Sequence, residues 1–247
     1  MDKMLYVAMS GAKENMTGVA LRANNLANAK TTGFKADLQQ ARSMQAFGDG
    51  LPTRVFSLTE RPGQNFASGA LSTTGRDLDV AIKGQGWISV LDANGAERYT
   101  RNGNLQLSSE GMLQTSSGQP VVGDAGPIFL PIPVAKVEVG NDGSIVIRPQ
   151  GAPANAVEIV DRIKLVNPPN GNMEKGEDGL FSLKTGDQAL ASANVQLESG
   201  ALEMSNVNAV EEMTHLIALQ RQFDMNVKVM KTAEENAQRS ESLMRVG

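Results

Sequence analysis

Apolar residues recur at a spacing of three and four positions through the first thirty residues. Seven of them follow this spacing: Leu5, Met9, Ala12, Met16, Val19, Ala23 and Leu26. A repeat of about 3.5 residues is typical of coiled coils, so the pattern predicts a helix with one narrow apolar stripe. Gly11 and Gly18 lie within it, and each weakens an isolated helix by about 1 kcal/mol relative to Ala. We therefore expect this helix to depend on a partner.

The last forty residues carry a second stripe with the same spacing. Between Ser205 and Arg245 there is no Gly or Pro, which allows a helix of about 60 Å at about 1.5 Å per residue. Ser205 or Asn206 is the expected N-cap, and two glutamates follow near the positive end of the helix dipole. The stripe comprises Ala209, Met213, Leu216, Gln220, Phe223, Val227, Met230, Glu234, Ala237, Glu241 and Met244. We assign the first stripe and the following members of the second to an assembly interface: Met213, Leu216, Phe223, Val227, Met230, Ala237 and Met244.

Between these ends the pattern changes to short apolar or alternating runs separated by turn residues. Leu78, Val80 and Ile82 occupy alternate positions, which is typical of a strand with one buried face. Three turn signals predict hairpins because Asn, Asp and Gly tolerate positive φ. They are Asn94-Gly95, Asn102-Gly103 and Asn141-Asp142-Gly143. The middle of the chain is therefore predicted to be antiparallel, with about 8–12 strands.

These patterns together predict a discontinuous α+β fold. Residues 1–35 and 205–247 are expected to form a helical coiled-coil layer, and residues 76–204 a central antiparallel all-β domain. The intervening segment, 36–75, is interpreted as an extended linker because much of it is rich in Gly, Pro, Ser and Thr. Stripes at opposite ends suggest that the two termini pair with each other. The alternative is that each helix simply packs its inner face on a globular core.

Composition excludes several classes of function. The formal net charge of −4 and an aromatic content of 4% argue against a nucleic-acid partner, which needs clustered cations or stacking rings. With no Cys and one His, thiol catalysis and His-rich metal sites are excluded. No apolar run reaches the about 18 residues that span a membrane. The apolar run from Met4 to Met9 is short for a signal peptide, so we expect no cleaved signal.

Local motifs give no catalytic, cofactor-binding or metal-ligating residue, and no cofactor is expected. Gly84-Gln85-Gly86 is half of a dinucleotide fingerprint, with Ser at the third Gly position. The sequences around Asn94 and Asp142 resemble calcium loops but lack their acidic ligands. His215 is interpreted as a helix-surface residue. Asp77 and Asp79 could form a carboxylate pair, although a solvated strand face is the expected role.

The end of the first helix carries a distinctive string from Asn24 to Lys35. Asn residues compete with helical hydrogen bonds and Gly33 allows a left-handed turn, so the string predicts a helix exit. It resembles the signature of the rod and hook proteins of bacterial flagella. The residues that carry this likeness are Asn24, Asn25, Leu26, Ala27, Asn28, Gly33, Phe34 and Lys35.

Three further segments resemble the same family, in the same order along the chain. They are 78–87 and 99–104 in the predicted β domain, and 202–208 leading to Gln220-Arg221-Gln222-Phe223 at the start of the second helix. Within the family, the opening Met1-Asp2-Lys3-Met4-Leu5 and the block 59–79 are most similar to the proximal-rod members. Distal-rod and hook-type members are the near alternative.

The resemblance implies a structural subunit rather than an enzyme. Such subunits polymerise into a tube whose terminal helices form the inner coiled-coil layer, and the tube transmits motor torque across the periplasm. The implied partners are other copies, other rod subunits and the flagellar type III export apparatus, which exports the chain without a cleaved signal. Two other classes stay open on the residues alone. A polysaccharide-cleaving enzyme would use Asp77 and Asp79, and an adhesin with a coiled-coil stalk would form trimers.

Overall fold

A computed structural model describes residues 3–45, 55–151, 153 and 157–245. The chain divides into two compact units. The helical unit contains residues 1–29, 36–65 and 207–247, and the β unit contains residues 30–35 and 66–206. The α+β class and the central antiparallel domain predicted from the sequence are confirmed, with one helix near each end of the chain.

Two helices and a hairpin make up the helical unit. Helix α1 spans Lys3–Ala27 and helix α2 spans Ala209–Arg245. The N-cap of α2 is Asn208, not Ser205 or Asn206, because the Asn208 Oδ1 accepts hydrogen bonds from the Val210 and Glu211 amides at 3.1 and 3.4 Å. The capping side chain satisfies amides that have no partner within the helix.

The segment predicted to be an extended linker, 36–75, is largely strand. β1 (Asp37–Gln45) and β2 (Val55–Gln64) form an antiparallel hairpin in the helical unit. The polar composition of β1 hid this pairing, because a strand rich in polar residues shows little apolar alternation. The hairpin lies against α1, where the Ser10 hydroxyl donates to the Ser57 carbonyl at 3.1 Å.

The described residues of the β unit form short strands of two to six residues. They are β3 (Leu71–Thr73), β4 (Val80–Lys83), β5 (Trp87–Leu91), β6 (Glu97–Thr100), β7 (Leu105–Leu107), β8 (Leu113–Thr115), β9 (Val134–Val139), β10 (Ser144–Pro149), β11 (Glu158–Arg162), β12 (Leu165–Val166), β13 (Met173–Lys175), β14 (Phe181–Leu183), β15 (Gln196–Ser199) and β16 (Ala201–Glu203). All strand pairs are antiparallel. The largest sheet has the order β12-β5-β6-β14-β13, and a second has β11-β10-β9.

Two of the three predicted hairpins are present. Asn94-Gly95 connects β5 to β6, and Asn141-Asp142-Gly143 connects β9 to β10. The prediction for Asn102-Gly103 is wrong, because β6 and β7 pair with other strands. Gly103 serves a different purpose: a methyl group there would lie 1.7 Å from the Val80 carbonyl oxygen, so only Gly permits this backbone approach.

The core of the β unit contains aliphatic residues from several sheets, including Ile88, Leu113, Ile145 and Leu197. A smaller aromatic cluster surrounds Trp87, whose ring lies 4.4 Å from that of Phe181. This core makes the β unit compact without the helical residues. Its stability therefore depends on complete filling of the core by branched side chains.

We predict that Ile145→Ala lowers the free energy of unfolding of the β unit by about 2–5 kcal/mol, because it leaves a cavity among fully buried neighbours. The matched control is Ile159→Ala on β11, where the side chain is exposed; we expect a change within about 0.5 kcal/mol. Denaturant unfolding followed by fluorescence of Trp87, the single tryptophan, measures both. Equal losses would contradict this assignment of the core.

Candidate assembly surface

The two helices run antiparallel and meet at three positions spaced seven residues apart. Gly11 faces Asn226, Gly18 faces Leu219, and Asn25 contacts Glu212. A methyl group on Gly11 would lie 3.0 Å from the Asn226 Nδ2, and one on Gly18 would lie 3.1 Å from the Leu219 Cδ1. The two glycines, which weaken α1 as an isolated helix, therefore leave room for these two side chains of α2. Their presence in the predicted helix is explained by this packing.

This register leaves α2 longer than its partner. α1 has 25 residues and α2 has 37. Counting back from Gly11 and Asn226, Lys3 lies level with about residue 234 of α2 in antiparallel helices of equal rise. Within the described residues, 235–245 of α2 therefore extends past the first turn of α1.

Polar groups close one end of the helix pair. The Arg22 guanidinium donates to both Glu212 carboxylate oxygens at 3.0 and 3.1 Å, and the Asn25 Nδ2 donates to the same carboxylate at 3.2 Å. Asn25 is fully buried and also exchanges two hydrogen bonds of 2.9 Å with the backbone of Asp37. Asn25 thus holds α2 and the start of the hairpin against α1.

The inner faces of the pair are not the predicted apolar stripes. On α1 the buried residues are small or polar, namely Ala8, Ala12, Gly18 and Asn25. Only Ala12 belongs to the predicted stripe. Small side chains on α1 are favoured at this interface because a row of Leu and Met would leave less room for α2 residues such as Asn226 and Leu219.

The predicted stripe residues divide by their position relative to this interface. Ala12 is buried; Val19, Leu26, Leu216, Phe223 and Met230 are half-buried at its margin; Leu5, Met9, Met16, Ala23, Met213, Val227 and Ala237 are exposed. The side chain of Met244 lies outside the described residues. The assignment of these residues to contacts between subunits therefore stays a prediction.

Four exposed members of the two stripes lie on one side of the helix pair. Met9 follows the inner residue Ala8 of α1, and Met16 lies one heptad after Met9; Met213 and Val227 follow the inner residues Glu212 and Asn226 of α2. In an antiparallel pair such residues share one side, because reversing the chain direction also reverses the sense in which successive residues turn. With Leu5 one turn before Met9, these five residues define what we call the stripe surface: Leu5, Met9, Met16, Met213 and Val227. It is apolar and exposed in the single chain.

Three signature residues, Gly33, Phe34 and Lys35, lie in the β unit and have structural roles there. Gly33 adopts a φ of +69°, and its amide donates to the Glu203 carbonyl at 2.8 Å. A methyl group on Gly33 would lie 2.3 Å from the Arg101 carbonyl carbon, so another residue would collide with the backbone. The Lys175 ammonium lies 4.0 Å from the centre of the Phe34 ring, a cation–π contact.

Lys35 belongs to a buried cluster of three charges. Its Nζ lies 2.6 Å from one Glu203 carboxylate oxygen, and an Arg101 guanidinium nitrogen lies 2.8 Å from the other. Glu203 also accepts the Gly69 amide at 2.9 Å, while Lys35 donates to the Ala67 carbonyl at 2.9 Å. Burial lowers the pKa of the Lys35 ammonium, although the bond to Glu203 opposes that effect.

The sequence did not single out the partners of these signature residues. Arg101 and Glu203 lie in segments that resemble the family, and Glu203 is one charge between Leu202 and Met204. An isolated charge among apolar residues signals a buried ion pair, but not which residue it pairs with. Glu212 was interpreted only as a charge at the helix N-terminus, although it occupies the same heptad position as Leu219 and Asn226.

The other candidate residues form no catalytic arrangement. Asp79 is buried and accepts the Thr74 hydroxyl at 2.7 Å, whereas Asp77 is exposed. The expectation that both lie on one solvated strand face is therefore wrong, because Asp77 lies in a turn whereas Asp79 forms a β-bridge with Asn104 just before β4. His215 is exposed on α2, 3.7 Å from Glu211.

Searches for two other kinds of site cover the described residues alone. Among them, no group of acidic or His side chains could hold a metal ion. In the same ranges, no helix is long and apolar enough to cross a bilayer.

We predict that Glu203→Gln lowers the free energy of unfolding of the β unit by about 3–5 kcal/mol, because it leaves two buried cations without their carboxylate. Glu198→Gln is the control, since Glu198 pairs with Lys83 at 3.6 Å on the surface and such pairs contribute at most about 1 kcal/mol. Urea unfolding monitored by Trp87 fluorescence measures both. A loss at Glu203 no larger than that at Glu198 would refute the structural role of the cluster.

Comparison with known proteins matches three parts of the chain to flagellar families. Residues 5–35 match the family described as "Flagella basal body rod protein", and residues 81–147 match "Flagellar hook protein FlgE/F/G D1 domain". Residues 198–243 match "Flagellar basal body rod FlgEFG protein C-terminal". These matches include the signature string, much of the β unit and most of α2.

Relatives are similar over almost their whole length. The flagellar basal-body rod protein FlgF of Escherichia coli (strain K12) is 40% identical over 250 residues, which is 99% of each chain. FlgF of Salmonella typhimurium has the same identity and coverage. The rod protein FlgG of Bacillus subtilis is 30% identical over 99% of this chain and 100% of its own. The protein therefore belongs to the flagellar basal-body rod protein family.

Proposed function

We propose that this chain is a structural subunit of the proximal rod of the flagellar basal body. In this proposal it polymerises, with its own copies and other rod subunits, into the drive shaft that carries motor torque across the periplasm. It reaches that position through the flagellar type III export apparatus. The family consists of structural rod proteins rather than enzymes, and the polysaccharide-cleaving alternative is not supported.

The observation that carries the proposal is the stripe surface. Five apolar side chains are exposed on one side of the helix pair although the pair already has an inner interface. A coiled-coil layer made of many helix pairs would cover this side. The helical residues 1–35 and 205–247 would then make the contacts within the inner layer, and the β residues 76–204 would form the outside of the tube. Contacts between different faces of identical subunits generate open helical polymers when the rotation between subunits does not close a ring, and a shaft requires this form.

A distal-rod or hook-type role in the same family is the second candidate. The identity of 40% to FlgF against 30% to FlgG favours the proximal-rod assignment. The same helix pair would serve either position, so the choice between them is tested by location in the basal body.

We predict that Met16→Asp combined with Met213→Asp reduces incorporation into basal bodies by more than about tenfold. A charge buried against a neighbouring subunit without a partner costs several kcal/mol, and about 1.4 kcal/mol is already tenfold in binding. The variant is made the only copy in the cell, and its amount in isolated basal bodies and the swimming radius are measured. Swimming should be lost together with incorporation.

The matched control is Thr17→Asp, which adds one negative charge at an exposed position of α1 on the other side of the helix. It should incorporate like the unchanged protein. The amount of each variant outside the cytoplasm shows whether it is exported, and circular dichroism of the purified chain shows whether it folds. Incorporation of the double variant at the wild-type level would contradict the role of the stripe surface in assembly. Labelled protein located at the distal end of the rod would favour the distal-rod or hook-type role.

A further inference from the structure

The exposed methionines of the described residues are confined to one unit of this protein. Among the described side chains, Met9, Met16, Met44, Met213 and Met225 are exposed, with relative exposures between 51% and 61%. All five lie in the helical unit. In the β unit, Met173 is 2% exposed and the other methionines are partly buried.

Three of these thioethers lie on the stripe surface and two do not. Met9 and Met213 follow the inner residues Ala8 and Glu212, and Met16 lies one heptad after Met9. Met225 precedes the inner residue Asn226, so it lies on the opposite side of the pair, where it lines the cavity beside Gly11 and Gln39. Met44 lies on strand β1. The chain thus carries equally exposed methionines on and off the stripe surface.

We propose that Met9, Met16 and Met213 are sites of reversible oxidation that control assembly of the subunit. This inference rests on the proposed function, because it takes the stripe surface as the contact between subunits. The oxidant is a peroxide or a hypohalous acid, to which a subunit outside the cytoplasm is exposed before its neighbours cover this surface. The chain has no cysteine, so no thiol of its own competes for the oxidant.

The chemistry at each site is a two-electron oxygen transfer. The thioether sulfur loses two electrons and gains the oxygen of hydrogen peroxide, which is reduced to water. The product sulfoxide is polar and chiral, and it disrupts apolar interfaces that the flexible thioether would fill. Methionine sulfoxide reductases reverse the step: two thiols supply the electrons and form a disulfide, and the oxygen leaves as water.

The position of the three residues makes the effect specific to assembly. Their side chains point away from the inner interface of the helix pair, so their oxidation leaves Gly11, Gly18 and the Glu212 contacts in place. Oxidation at Met44 and Met225 adds the same polar group elsewhere on the helical unit. Loss of assembly should therefore follow the sulfoxides on the stripe surface and not the total number of sulfoxides.

The experiment compares three forms of the full chain: the unchanged protein, Met9→Leu/Met16→Leu/Met213→Leu, and Met44→Leu/Met225→Leu. Each is treated with dilute hydrogen peroxide. Peptide mass mapping gives the sulfoxide fraction at each methionine, sedimentation velocity gives self-association, and circular dichroism reports folding. Each variant is compared with its own reduced form, so any effect of Leu on association cancels.

We expect the exposed methionines to oxidise about tenfold faster than buried Met173, since access controls the reaction. Oxidation should weaken self-association about tenfold in the unchanged protein and in Met44→Leu/Met225→Leu. In the triple variant, oxidation should change self-association less than about twofold, which is small compared with the tenfold loss expected for the unchanged protein. Reductase treatment should restore association.

Several results would overturn the inference. An equal loss of self-association in the oxidised triple variant would show that other methionines cause the effect. A loss of helical signal on oxidation would show that the chain unfolds. Unchanged association of the oxidised wild-type protein would show that the sulfoxides are tolerated. Failure of the reduced protein to associate would instead refute the proposed polymerisation itself, a result seen before any oxidant is added.

Discussion

Close approach of α1 and α2 at small residues is the constraint from which the surface of the helical unit follows. Gly11 and Gly18 leave room for the Asn226 and Leu219 side chains of α2. The five residues of the stripe surface are exposed on one side of the pair. They are therefore available for contacts with other molecules.

Buried polar groups fix the geometry where apolar packing is weak. Asn25 and Arg22 hold Glu212 at one end of the helix pair, and Lys35 and Arg101 hold Glu203 in the β unit. Such clusters contribute little net stability relative to apolar packing, because desolvation of each charge opposes the attraction. Their geometric demands are strict, however. Both chain segments that flank the helices, around residues 33–35 and 203–206, are tied to defined partners in the β unit.

Sequence periodicity predicted that both ends are helical and that the middle is an antiparallel β domain, because these features depend on local spacing and turn residues. It could not choose between two heptad registers one position apart. Apolarity favoured Met9 and Met213, whereas the structure places Ala8 and Glu212 inside, since close packing rewards small size and the buried acid finds a partner 190 positions away along the chain. The β1–β2 hairpin escaped detection for a related reason. Strand β1 is rich in polar residues and shows no apolar alternation in the sequence.

The unequal helix lengths have a mechanical consequence. Residues 235–245 of α2 project beyond the paired region by about 16 Å at about 1.5 Å per residue. In subunits stacked end to end, the projecting part of each α2 would lie beside the helices of the next subunit, so that neighbouring subunits would overlap along their sides. Twisting load would then pass between them as shear along the sides of helices, where many weak contacts share it, and no single junction would have to bear it in tension.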